Sequence, residues 1–354
     1  MTKGKQILFY STLSVVGIYF LFLGLSNAKG FLAPFLTAII LALVVLPLSR
    51  KMERNHINRT YASLINTLLL FLLSLGFLVL LSLQVRSFIN DWPKIEETMT
   101  PKVEQFKNFV FDHTPMTKND LEQSDSGSGI PFVGSGSNRG KQALGFFSKS
   151  IGFIGTYLLT LIYIFFLLNY RKRFKEFLLR LFPDEKKKQV KEVVRKSAEV
   201  AQDYLLGKLI LIGLLAVVYS IGLGFSGVSN FILVSIIAAL LTLIPYVGNI
   251  IGLSLAMAFG YLTSGEMGVL IGVLITFTVS QFLESYVLQP YVVGDKVDLH
   301  PFTVIVVVVL GGALWGVIGM ILAIPVMAIV AVIFQHIPPL QPFGFLFSRK
   351  KSSD

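Results

Sequence analysis

Apolar residues run along this chain in long unbroken blocks, without the regular polar interruptions of a half-buried soluble helix or strand. Five blocks have the length of a simple bilayer crossing: Ile7 to Leu25, Phe31 to Leu48, Leu64 to Val85, Ile151 to Asn169 and Leu209 to Phe225. A sixth, Met267 to Leu288, carries Glu284 toward its end. About 20 apolar residues span the hydrocarbon core, so each block predicts a transmembrane helix. Two further blocks, Ser229 to Thr263 and Phe302 to Gln335, are too long for that. As straight helices each would exceed about 50 Å, against a core of about 30 Å. Both are interrupted near the middle, the first by Pro245, Gly248 and Gly252, the second by Gly311, Gly312, Gly316, Gly319 and Pro325. Proline removes a backbone donor, and glycine allows a turn or a close approach. Each block is therefore either one kinked span with an interfacial extension or a helical hairpin that enters the membrane and returns on the same side.

Two polar segments separate these blocks. In the first, Phe88, Trp92, Ile95, Met99, Val103, Phe106 and Val110 recur every three or four residues. That spacing predicts an amphipathic helix with Asp91 as N-cap, despite Pro93 and Pro101. A Ser- and Gly-rich flexible stretch, Ser124 to Gly140, follows. In the second, Pro183 to Leu206, one helical face holds Val190, Val193, Val194, Ser197, Ala201 and Tyr204, and the other is strongly basic. It reads as a helix lying on the cytoplasmic leaflet or as a solvated linker helix. The predicted organisation is a three-span region (1–85), an extracytoplasmic segment (86–150), a fourth span with a basic helix (151–208), a core with two broken segments (209–336) and a basic tail (337–354).

Composition supports this reading. Of 354 residues, 54% are hydrophobic and 14% charged, whereas soluble domains carry about 25% charged residues. The fold class expected is all-α and polytopic, with about eight hydrophobic segments. The absence of Cys excludes disulfides, thiolate metal sites and thiol nucleophiles. The net charge of +11 would suit nucleic acid, but the basic residues cluster beside hydrophobic blocks, as in loops that face anionic lipid. Membrane lipid is thus the expected partner, and nucleic acid is not. Arg50, Lys51, Arg54 and Arg59 follow the second block, and Arg171, Lys172, Arg173, Lys175 and Arg180 follow the fourth. Arg349, Lys350 and Lys351 lie near the C-terminus. The positive-inside rule then puts both termini in the cytoplasm and 86–149 outside. Lys3 and Lys5 before the first block resemble a signal peptide, but no small-x-small cleavage site follows convincingly, so an uncleaved span is expected.

Candidate chemistry is sparse. There is no phosphate-binding Gly-x-x-x-x-Gly-Lys-Ser/Thr loop and no His-Glu-x-x-His zinc motif. Gly224-Phe225-Ser226-Gly227 matches a short intramembrane serine-protease pattern. Its base would be a histidine at membrane depth, yet His56 and His113 fall in loops and His300 and His336 near span ends. No catalytic residue, metal site or cofactor is expected. The strongest constellation is Gln281 and Glu284, three apart and on one helix face, followed by Pro290, Gly294 and Leu299-His300-Pro301. An ion in hydrocarbon is costly and usually functional. A carboxylate with an amide beside it can bind a cation, hold a proton or accept hydrogen bonds from a polar solute; it can also be a structural group tied to backbone donors. Ile244-Pro245-Tyr246-Val247-Gly248-Asn249 is the second feature, where a break would expose helix ends near Asn249 and Thr242. An ordinary proline kink fits it equally. The third is Gly311-Gly312, Gly316 and Gly319, ending in Ala323-Ile324-Pro325, which suits close helix packing or a hairpin tip.

With these motifs the chain resembles the autoinducer-2 exporter family of bacterial membrane proteins. The resemblance rests on Ile244 to Gly248, Glu284 with Pro290 and Gly294, Leu299-His300-Pro301, and Gly311 through Pro325, which together cover the C-terminal third. Asn249 stands where the family usually has Pro, adding a polar amide. The resemblance implies a secondary transporter of the bacterial cytoplasmic membrane that exports a small polar solute, with two hairpins flanking the site. It also implies an elevator-like motion and a homo-oligomer, a pentamer. Some relatives are described as sodium or lithium/proton antiporters, so coupling to H+ or Na+ is the expected alternative. Carried over residue by residue, Pro245 and Gly248 would lie at one hairpin tip, Gly316, Gly319 and Pro325 near the other, and Glu284 on the span between. A non-transporting membrane scaffold that recruits partners through its two amphipathic helices is the remaining reading.

Overall fold

The computed structural model describes residues 3–79, 139–245, 247–294 and 297–349, with 82, 97 and 101 as isolated positions. Among them every regular element is helical. In chain order these are α1 (Lys3–Asn27), α2 (Lys29–Arg54), α3 (Arg59–Val79), α4 (Arg139–Arg180), α5 (Asp184–Phe225), α6 (Phe231–Leu241), α7 (Val247–Ser264), α8 (Met267–Leu283), α9 (Pro301–Trp315), α10 (Val317–His336) and α11 (Gln341–Phe347). α8 continues through a π turn, Glu284–Leu288, into a last α turn, Gln289–Val292. Eight segments among the described residues have the length and apolarity to cross a bilayer. The outer amphipathic helix expected over Phe88 to Val110 lies outside the described residues, but for positions 97 and 101, and so does the Ser/Gly stretch up to Asn138. Arg139 and Gly140 already belong to α4.

Three apolar clusters organise the described residues. Ala38, Ala42, Val45 and Leu46 of α2 pack on Ile164 and Leu168 of α4. At the end of this bundle the Arg171 guanidinium sits 2.6 Å from the Glu53 carboxylate and donates to Ser49 Oγ, with Arg59 3.6 Å from Glu53. A second cluster joins α5, α6, α7 and α8 through Leu215, Tyr219, Leu223, Val234, Ala238, Ala256, Val273 and Phe277. A third joins α9, α10 and the segment before α9 through Leu299, Val308, Ile324, Ala328 and Ala331. Large apolar side chains such as Phe9, Tyr19, Leu72 and Phe166 remain exposed on α1, α3 and α4. Water does not tolerate so wide an apolar surface, and lipid does.

The inner segment departs from expectation. Pro183 to Leu206 is not a separate leaflet helix or linker; Asp184–Phe225 is one helix of 42 residues, about 63 Å long. No proline interrupts it, and Asp184 and Glu185 complement the dipole at its start. Ser197 and Ala201 are buried while Arg195 and Glu199 are exposed, so the predicted apolar face does point inward. What covers it is protein: Val200 and Tyr204 pack against the cluster of α9 and α10.

Both long broken blocks are bent helix pairs that return to the end from which they start. α6 and α7 meet through Gly248, where a Cβ would collide with the Leu241 carbonyl, and through Gly252 against Ala238. At their far ends Val228 lies beside Gly260. α9 and α10 join at Gly316, whose φ of 64° and ψ of −142° suit glycine alone. Gly311 and Gly319 bring the two backbones into contact, and Gly312 packs on Met320. Pro325 does not mark this bend; it is buried nine residues further on, inside α10. The start of α9 and the end of α10 share one end of the molecule. There His300 N–H donates to Phe347 O at 2.8 Å, and His336 lies 3.5 Å from Lys196 Nζ. Pro301 begins α9, with His300 Nδ1 accepting from the Phe302 N–H as its cap.

Candidate functional site

Glu284 is 6% exposed, at the point where α8 changes its hydrogen-bond register. Pro290 has no N–H and its ring clashes with the preceding turn, so a regular ladder cannot pass it. The ladder widens first: Gln289 N–H reaches the Glu284 carbonyl, five residues back. Such π turns concentrate at functional sites. Gly294, with φ of 55°, then turns the chain out of the helix.

Three elements bring polar groups to this carboxylate. From α7, Asn249 Nδ2 donates to Gln281 Oε1 at 2.5 Å and lies 3.4 Å from Glu284 Oε2. Gln281 in turn donates to Ser285 Oγ at 3.1 Å. From α5, Lys208 Nζ stands 4.0 Å from Glu284 Oε1. That is an ion pair without a direct hydrogen bond, so both charges keep bonding capacity. Lys208 is placed by the close run of α5 along α8, where Gly207 lies against Val292 and Val293 and Gly222 against Thr276. Asn249 Oδ1 and Ser280 Oγ are buried and have no hydrogen-bond partner among the described residues. Donors, acceptors and both charge signs are thus gathered between α5, α7 and α8.

The sequence candidates distribute as follows. Glu284, Gln281 and Asn249 come together. Thr242 does not join them; it is buried at the α6–α7 bend, its hydroxyl donating to Ala239 O at 2.7 Å. Pro245 and Gly248 lie at that bend, and Gly316 at the other, while Gly311, Gly312 and Gly319 line the α9–α10 contact. His300 and Pro301 form the start of α9. Ser226 caps α5, donating to Gly222 O at 2.7 Å with Thr276 Oγ1 at 3.3 Å, and neither neighbour is a base. Sequence reasoning missed Lys208, which stands one position before the apolar block Leu209 to Phe225. It also missed Ser280, which with Thr276 and Glu284 makes a buried polar stripe every fourth residue of α8.

The model of the AI-2E family transporter matches residues 8–339. The chain belongs to the AI-2E transporter family. It is similar to the proposed transport protein YueF of Bacillus subtilis, at 25% identity over 323 residues, 86% of this chain and 83% of that one. It is similar to a second proposed transport protein of that organism, YrrI, at 29% over 173 residues, 49% of this chain and 48% of the relative. A proposed transport protein of Mycobacterium tuberculosis is 39% identical over 85 residues, 24% of this chain and 23% of its own length. As an AI-2E family member with eight bilayer-length apolar helices among its described residues, the chain is a multi-pass membrane transport protein.

Proposed function

We propose that this AI-2E family member is a secondary transporter of the bacterial cytoplasmic membrane that exports a small polar solute through the Glu284 site. The observation that carries the reading is the buried Glu284 carboxylate at the π turn, with Asn249 of a bent helix pair and Lys208 of α5 beside it. A solute rich in hydroxyls finds acceptors at Glu284 and Asn249 Oδ1 and a donor at Lys208. α6–α7 and α9–α10 act as re-entrant hairpins whose first arms, α6 and α9, of 11 and 15 residues, about 16 and 22 Å, are shorter than the bilayer core, while their second arms, α7 and α10, of 18 and 20 residues, are about 27 and 30 Å. They move with the site in an elevator-like step within a homo-oligomer, a pentamer, and both termini are cytoplasmic. No cofactor takes part beyond a coupling ion, H+ or Na+.

A second reading is Na+(Li+)/H+ antiport, favoured by the Lys208–Glu284 pair. A tethered cation 4.0 Å from the carboxylate is one that a mobile cation or proton can replace. Proteoliposomes containing the full chain, given candidate solutes and imposed sodium or proton gradients, test both. Solute flux that Glu284→Gln reduces at least about tenfold supports export. Cation-proton exchange without solute flux, abolished by the same change, supports antiport. Undiminished flux in Glu284→Gln overturns the assigned site.

A further inference from the structure

The last turn of α2 carries three cations that no described residue neutralises. Arg50, Lys51 and Arg54 are exposed and enter no ion pair among the described residues. The acidic residue of the same turn, Glu53, is already compensated by Arg171 at 2.6 Å and Arg59 at 3.6 Å. With Pro47, Asn55 and Gln202, the three cations line one open cavity of about 450 Å³. Its lining holds three positive charges and two amides and, among the described residues, no carboxylate.

We propose that this cavity binds the phosphate headgroup of an anionic membrane lipid. Guanidinium forks match phosphate oxygens two at a time, and Lys51 adds a point charge. The amides of Asn55 and Gln202 supply further donors for glycerol or ester oxygens. Basic pockets between transmembrane helices are suited to such headgroups. The lipid is favoured over free phosphate because the cavity exceeds what one phosphate fills and opens beside apolar surface. Pro47 lines it, and the next residue, Leu48, is 40% exposed on a membrane-length helix, where an acyl chain can lie. The position also matters mechanically. α2 belongs to the N-terminal bundle, and Gln202 lies on α5 six residues before Lys208. A bound headgroup bridges the N-terminal bundle and the helix that supplies the site's cation.

The test uses the full chain, delipidated in neutral detergent, with lipid binding read by native mass spectrometry. Phosphatidylglycerol is expected to be retained at least about tenfold better than phosphatidylcholine, because each neutralised cation contributes separately. Arg50→Gln/Lys51→Gln/Arg54→Gln should lose that preference, and Lys172→Gln/Arg173→Gln/Lys175→Gln, which removes equal charge from exposed positions of α4, should keep it. Should the first triple variant not fold, Gln202→Glu decides. A carboxylate there should abolish the preference, and unchanged retention overturns the proposal. Equal loss in both triple variants overturns it as well, since the effect would then be net charge. Displacement of phosphatidylglycerol by millimolar inorganic phosphate would make the site one for a free anion and defeat the lipid assignment.

Discussion

At Glu284 the expense of burying a charge is met by neighbours from two other helices, which makes the residue testable by pairs. Lys208→Met leaves the carboxylate buried beside an amide alone, and an unpaired buried charge is worse than no charge. Glu284→Gln leaves the Lys208 ammonium unpaired in turn, but the carboxylate is the more deeply buried, 7% against 16% side-chain exposure, so Lys208→Met should lower the thermal unfolding midpoint in detergent more than Glu284→Gln does, and the double variant should recover most of the loss. Equal, additive losses would show that the two groups do not sense each other across 4.0 Å. Gly248 gives a second residue-scale prediction. A Cβ there meets the Leu241 carbonyl, a backbone group that cannot move without parting α6 from α7. Gly248→Ala should cost about 1–3 kcal/mol of stability, while Gly252→Ala, whose Cβ meets Ala238 at an ordinary 3.4 Å, should change it little. The carboxylate was legible in the sequence because a charge inside an apolar run stands out. Lys208 was not, since it borders the apolar block Leu209 to Phe225 and looks like a flanking anchor. Ser280 was not, since hydroxyl residues in apolar helices usually bond their own backbone and carry no message.

Among the elements, breaks were legible and continuity was not. Proline and glycine announced both bends, because backbone geometry is local and a side chain cannot disguise it. The fusion of 184–206 with the apolar run after it was hidden, because composition changes near Leu209 while helix propensity does not. The exact bend in the second block was also hidden among several glycines; only at Gly316 does the backbone take a conformation closed to other residues. The π turn was foreshadowed by Pro290 alone. That gives a prediction with two opposite signs. Pro290→Ala restores a donor and removes a clash, so the α ladder can run through Glu284. Stability should rise by up to about 3 kcal/mol, since proline in a helix interior costs that much. Transport should fall, because closing the π turn rotates Glu284 relative to Asn249 and Lys208. Increased thermal stability with full transport in proteoliposomes would show that the π turn does not serve the site.

For the whole molecule, the decisive matter is which ends of the helices share a side. Val228 lies beside Gly260, so α6 starts where α7 finishes; His300 is tied to Phe347, and His336 reaches Lys196, so α9 starts where α10 finishes. The apolar blocks and their basic flanks gave the all-α polytopic class, but hydropathy alone left kinked spans and returning pairs with the same parity. The native chain has no Cys, so single cysteines report sidedness without background. Glu266 is exposed just after α7, Lys186 lies early in α5, and Phe345 is exposed in α11. If both bent pairs are re-entrant, an impermeant maleimide added to intact cells should label Glu266→Cys, while Lys186→Cys and Phe345→Cys react after the membrane is opened. If α6 and α7 instead form one kinked crossing, Glu266→Cys falls on the same side as Lys186→Cys and stays unlabelled in intact cells. The first outcome is expected, because Val228 before α6 lies beside Gly260 of α7, so the two ends of this pair sit together.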